Sequence, residues 1–302
     1  MGPTASAVTP PTASPSPGPA PSKAPDSPRS PKARSPRARA LRSALGRWGL
    51  TLAALLGALG VWWLVTAMEI WSPIFVPSPA AVWERFLAVT SEEGNVRGYG
   101  GYLLWEHLWA SIRRILIGSG IGIVLGIAIG LLIGTVPAIR HAFEPFLTFL
   151  RQLPPLAYFS LLIIWLGIDE SPKIWLLVIA AMPPIAVATA AAVTGIHEDH
   201  VHAAQSLGAR RRDLIRLVII PAALPEIIVG IRIGVGVAYT SVVAAETVNG
   251  VPGIGGMIRD AQRYNQTDTV ILGILLLGIS GLIIDGLLRQ MQLRVGHWRG
   301  KE

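Results

Sequence analysis

The sequence predicts an all-α, polytopic membrane protein of about six transmembrane helices, and three observations carry that reading. Apolar residues make up 51% of the 302 residues, charged residues only 15%, and mean hydropathy is +0.51. A soluble chain carries about a quarter charged residues. Six apolar runs reach the roughly 20 residues that a helix needs to cross a bilayer. The connections between those runs differ strongly in Lys and Arg, which is the pattern that fixes orientation in a membrane. Cysteine is absent, so neither a disulfide framework nor a thiolate metal site is available.

Residues 1–44 hold 11 of the 24 prolines, with Ser, Ala and scattered basic residues, and show no apolar periodicity. Such a segment buries too little to offset its conformational entropy, so it reads as a disordered tail. The opening MGPTAS fits the loose myristoylation pattern, but Pro3 and the polytopic anchor downstream speak against it. A cleaved signal is not expected, because the first apolar run is long and stands behind a long tail.

The membrane domain is 45–298, followed by a short tail, 299–302. Its spans are expected near 48–68, 112–134, 144–168, 172–193, 221–246 and 268–290. In the second span Gly118, Gly122, Gly126, Gly130 and Gly134 recur every four residues. Each step of four drifts about 40° around an α-helix, so the glycines form a shallow winding groove. Close approach of another helix is the plainer reading, and a glycine-lined solute path is the sharper one. Pro154-Pro155 and Pro183-Pro184 lie inside the third and fourth spans and are expected to bend or break them. Transport proteins tolerate such breaks where protein or a water-filled cavity satisfies the backbone. Of the extramembrane segments, 69–111 contains a short interfacial helix over Ala80 to Val89, and 247–267 reads as a glycine-rich polar loop.

With the tail inside, 18 of the 26 Lys and Arg fall on the same side, against seven on the other and Arg232 within a span. The positive-inside rule therefore predicts both termini in the cytoplasm. Trp71, Trp83, Trp105, Trp109 and Trp175 lie near the expected outer boundaries, where an interfacial belt would place them.

The cytoplasmic connection 197–220 is unusual. It runs His202, Ala203, Ala204, Gln205, Ser206, Leu207, Gly208, Ala209, Arg210, Arg211 and Arg212, and closes on Pro221. A short helix of small residues, a glycine turn and a basic helix with an apolar edge could seat in another protein's groove, or could only set topology. His197, His200 and His202 cluster there, but no carboxylate arrangement completes a metal site, and a solvated helix surface explains them. No nucleic-acid-binding pattern is present.

Catalytic chemistry is not written in the chain. A phosphate-cradling loop needs G-x-x-x-x-G-K-[ST], and the only lysines, Lys23, Lys32, Lys173 and Lys301, stand outside any such motif. No H-E-x-x-H or G-x-S-x-G occurs. The chain is not expected to be an enzyme. An ion-driven secondary transporter would usually show an internal repeat in its spans, and none is evident.

Arg232 is the one basic residue deep within a span, so it should face protein or a water-filled path rather than lipid. Glu246 matches it in angle but stands roughly 21 Å farther along the helix. Asp285 on the sixth span lies within about 7 Å of the same depth. A buried Arg232–Asp285 pair and a path-lining Arg232 that offsets an anion's desolvation both remain open.

Ala203-Ala204, three residues, Gly208, nine residues and Val218-x-Ile220-Pro221 resemble the "EAA" loop of the membrane subunits of ATP-binding-cassette importers. His202 stands where that family carries an acid. "RQLPPLAYFSLLIIWLGI", "AAQSLGA", "IIPAALPEIIVGIRIGVGVAYTSVVAAE" and "TDTVILGI" are similar to its taurine, aliphatic sulfonate and nitrate branch. The resemblance implies a type I importer core in the plasma (inner) membrane. It implies a second copy of the chain, two cytosolic ATPases that bind ATP and Mg, and an external solute-binding protein. Residues from Ala203 to Arg212 would couple to the ATPase. No cofactor is implied for this subunit itself.

Overall fold

In the computed structural model the described residues are 36–93, 96–248 and 250–295, with side chains over 49–92, 97–248 and 250–294. The chain divides into two units, Met1–Leu56 and Gly57–Glu302. Helix α1, Pro36–Ala67, begins within the expected tail. Pro36 at the first helical position and the Arg-, Ala- and Leu-rich run behind it favour helix over disorder. The rest of the expected tail, 1–35, and the C-terminal 299–302 lie outside the described residues.

Beyond α1 come α2 (Pro79–Thr90), a two-residue antiparallel ladder of β1 (Glu92–Glu93) and β2 (Val96–Arg97), and α3 (Leu104–Thr135). Then follow α4 (Pro137–Gln152), α5 (Pro155–Leu166) and α6 (Glu170–Thr194). The inner connection holds α7 (Glu198–Ser206) and α8 (Arg211–Asp213). A π-helical turn, Leu214–Ile219, leads from there into α9 (Ile220–Glu246), and α10 (Ile254–Arg263) and α11 (Thr267–Val295) complete the chain. Five helices are long and apolar enough to cross a membrane, and a sixth span results if α4 and α5 count as one. α2 matches the expected interfacial helix. Ser78 caps it by accepting from the Ala81 N–H at 3.2 Å, and Pro79 occupies its first turn.

The two proline pairs behave differently. α4 and α5 meet at a 98° bend across Leu153 and Pro154, so the third span is broken. The fourth is not. α6 runs unbroken through Pro183 and Pro184, which are buried against its neighbours. Packing holds the helix through the missing N–H groups, as membrane helices allow. Pro221 opens no new helix either, because the backbone is helical without interruption from Arg211 to Glu246. The loop expected over 247–267 contains α10, whose Ile254, Met257, Ile258 and Ala261 are buried.

The core is α3, α6 and α9 side by side, with Ile115, Leu177, Ala181, Ile185, Ala238 and Val242 between them. A Cβ on Gly122, Gly126 or Gly134 would come within 2.9 Å of Ala181, Ile185 or Val193. On Gly118 and Gly130 it would lie 2.5 Å from Leu177 and Thr189. The glycine groove of α3 is thus filled by every fourth residue of α6. Trp71, Trp83, Trp105, Trp109 and Trp175 are exposed on the chain.

Candidate functional site

Two regions combine polar chemistry with a defined shape. The first is the connection 197–220. α7 ends in a glycine-terminated C-cap: Gly208 donates to the Gln205 carbonyl at 2.9 Å and Ala209 to Ala204 at 3.1 Å. That pairing is the two-bond Schellman turn, which needs a left-handed residue just past the helix. Gly208 supplies it with φ +83. Among the described residues other than its chain neighbours, nothing lies within 4 Å of where its Cβ would be. Leu207, at the tip, is an apolar side chain 90% exposed among the described residues. His202, Ala203, Gln205, Ser206, Arg210, Arg211 and Arg212 are exposed too, while Ala204 and Ala209 are half-buried. The second helix expected here is only the three residues of α8 before the π-helical turn. His197 and His200 stack at 6.5 Å, and among the described residues no group of side chains is arranged to hold a metal.

The second region lies at the opposite ends of α3, α6 and α9. Arg114 of α3 is buried and reaches two carboxylates. Its Nη1 donates to Glu246 Oε1 at 2.7 Å, and its Nε and Nη2 donate to Glu170 at 2.8 and 2.7 Å. Lys173 Nζ adds a bond to Glu170 at 3.1 Å. Ser111 Oγ donates to Glu246 Oε1 at 2.7 Å and accepts from the Ile254 N–H at 3.0 Å. The Gly255 N–H completes the Glu246 shell at 2.7 Å. A Cβ on Gly255 would meet the Glu246 side chain at 2.9 Å, so glycine is required for that approach. Beside it His107 Nδ1 accepts from the Gly253 N–H at 3.1 Å, which leaves Nε2–H to donate to the Tyr99 carbonyl at 3.1 Å. The two buried cations, Arg114 and Lys173, face two carboxylates, and Arg113 Nη2 stands 4.0 Å from Glu170 at the exposed edge, so the buried charges are paired. Burial pushes the Tyr99 phenol up, and the nearby Asp260 carboxylate adds to the rise.

Glu246, set apart from Arg232 by its depth, belongs to a buried pair with a different partner. Arg114 takes it, from a helix that begins at Leu104 rather than near 112. Arg114, Glu170, Lys173, Ser111 and His107 were missed as site residues. The available signal was the Arg113-Arg114 pair entering a long apolar run. Arg232 does meet Asp285, in a bidentate pair with Nε–Oδ1 at 2.6 Å and Nη2–Oδ2 at 2.9 Å. The pair is not buried. Its side chains are 37% and 50% exposed, because α9 and α11 leave that seam uncovered within one chain.

Comparison with known proteins places these features. Residues 122–297 match the family described as binding-protein-dependent transport system inner membrane component. The chain is 37% identical over 252 residues to the taurine transport system permease protein TauC of Escherichia coli (strain K12), covering 83% of this chain and 90% of that protein. It is 31% identical over 235 residues to the bicarbonate transport system permease protein CmpB of Synechocystis sp., covering 76% and 82%. Among solved structures, an inward-facing MetNI methionine ABC transporter superposes with TM-score 0.56 at 19% identity, over 64% of this chain and 97% of that one. That likeness is one of fold alone. The chain therefore belongs to the family of inner-membrane components of binding-protein-dependent transport systems.

Proposed function

We propose that this chain is the membrane-spanning half of an ATP-driven importer for a small sulfonate, with taurine the first candidate. The observation that carries the reading is the exposed Ala203–Arg212 turn. It is capped at Gly208 and presents Leu207 90% exposed among the described residues. A partner's groove is the natural cover for such a tip. On this reading two copies of the chain assemble with two cytosolic ATPases, which bind ATP and Mg and seat these turns. Both termini face the cytoplasm, and an external binding protein delivers the solute to the opposite surface. The similarity to TauC supports taurine. The similarity to CmpB favours a second reading, the same machinery carrying bicarbonate- or nitrate-type anions.

The test is uptake of labelled taurine, ethanesulfonate, nitrate and bicarbonate by proteoliposomes holding the chain, its ATPase and its binding protein, with native mass of the same preparation. The expected result is ATP-dependent uptake of a sulfonate by a complex of two chains and two ATPases. A monomer that transports without any ATPase would overturn the proposal, and uptake of nitrate or bicarbonate alone would select the second reading.

A further inference from the structure

A cavity of about 260 Å³ opens beside α10, bounded by Thr247, Gly250, Arg259, Asp260, Arg263 and Glu246. Its charges are unevenly committed. Glu246 is consumed by Arg114, Ser111 and the Gly255 N–H. The side chains of Arg259, Asp260 and Arg263, by contrast, make no hydrogen bond or ion pair among the described residues. Arg259 is half-buried and Arg263 exposed. α10 buries its other face through Ile254, Met257, Ile258 and Ala261.

Arg259 and Arg263 are four residues apart, so they stand on one helical face with Cβ atoms roughly 5–6 Å apart. Two planar guanidiniums at that spacing match the oxygens of a single strong-acid group, each fork able to donate twice. Asp260 brings one carboxylate to the same cavity. Two cations and one carboxylate, none of them in a hydrogen bond or ion pair among the described residues, complement a small zwitterion better than a simple anion; Asp260 also acts through space on the Tyr99 phenol.

We propose that this cavity is a receiving site for a small aminosulfonate-type zwitterion, with its oxyanion on Arg259 and Arg263 and its ammonium on Asp260. The proposal rests on the reading of the chain as a sulfonate importer and deepens it by naming where solute meets the membrane subunit. A site at the end of the bundle opposite the ATPase-facing turn would take solute as the binding protein releases it.

The experiment is equilibrium binding of labelled taurine and labelled ethanesulfonate to the assembled transporter in lipid nanodiscs, without the external binding protein. Wild type should bind both saturably. Arg259→Gln with Arg263→Gln should weaken both at least tenfold, and the matching Lys variants should recover part of that loss. Asp260→Asn should weaken taurine alone. These half-exposed positions leave the folded core untouched, and unchanged complex assembly would verify that. Absence of saturable binding by wild type, or equal binding by all variants, would overturn the site. Import by the same wild-type complex with its binding protein restored separates the two ideas. Import without such binding sinks only this site, whereas loss of both sinks the sulfonate reading as well.

Discussion

Arg114 and Glu246 join two spans through charges that water does not reach, with side chains 3% and 0% exposed. Removing Arg114 leaves Glu246 buried without a cation, at a cost of roughly 3–5 kcal/mol. Arg114→Met should therefore lower the melting temperature of the purified chain markedly, and Glu246→Leu less, because Arg114 keeps its two bonds to Glu170. The double variant should recover much of the loss, because Glu170 keeps Lys173 at 3.1 Å. Single variants that melt like wild type would show that the cluster contributes nothing. The Arg232–Asp285 pair is a different case, since it lies half-exposed on the chain. If it holds α9 to α11, Arg232→Gln should reduce assembly and Asp285→Asn should restore much of it. Normal assembly with lost uptake, and no rescue, would instead assign Arg232 to the solute path. Depth counting along the helices was enough to pair Arg232 with Asp285. It also kept Glu246 apart from Arg232, but did not reveal Arg114 as its partner, because that residue's helix starts several residues earlier than hydropathy suggests: Trp105, Glu106 and His107 interrupt the apolar run but not the helix.

The α3–α6 seam shows what a repeating pattern can and cannot say about elements. Five glycines four residues apart announce a groove, and the helix that fills it repeats at Leu177, Ala181, Ile185, Thr189 and Val193. Gly126→Leu should overfill this contact, where a first carbon already lies 2.8 Å from Ile185 Cβ. Overpacking of this kind costs typically 1–3 kcal/mol, so folded yield in detergent should fall. Gly120→Leu is the matched control, having nothing within 4 Å, and should be tolerated. Equal yields for the two variants would remove the seam from the account. The proline pairs were less legible. Pro155 finds the first turn of α5, where its missing N–H costs nothing, whereas Pro183 and Pro184 lie mid-helix and are carried by their neighbours. Dipeptide sequence does not encode which outcome packing selects. α10 was missed for a related reason: its glycines suggest a loop, yet they are what let it approach Glu246.

For the whole molecule, the number of spans and the family were legible because hydropathy and the spacing of the 203–221 loop are local properties of the chain. The buried cluster was not, because it joins residues 132 and 56 positions apart that no local pattern relates. The loop and the cluster lie at opposite ends of α6 and α9, and this division suits the proposed machine, driven from one face and loaded from the other. The remaining question is whether the exposed turn transmits that drive.

The most direct measurement is solute-stimulated ATP hydrolysis by the reconstituted complex carrying Leu207→Glu or Gly208→Glu. Leu207 touches little of its own chain and is 90% exposed, so its substitution should not disturb insertion. Gly208→Glu adds a side chain at φ +83 and fills the open space beside the turn. Both variants should reach the membrane at wild-type levels, bind the ATPase weakly and lose at least tenfold of the stimulated hydrolysis. Wild-type hydrolysis and uptake in both variants would contradict the account and leave the loop as a topological signal.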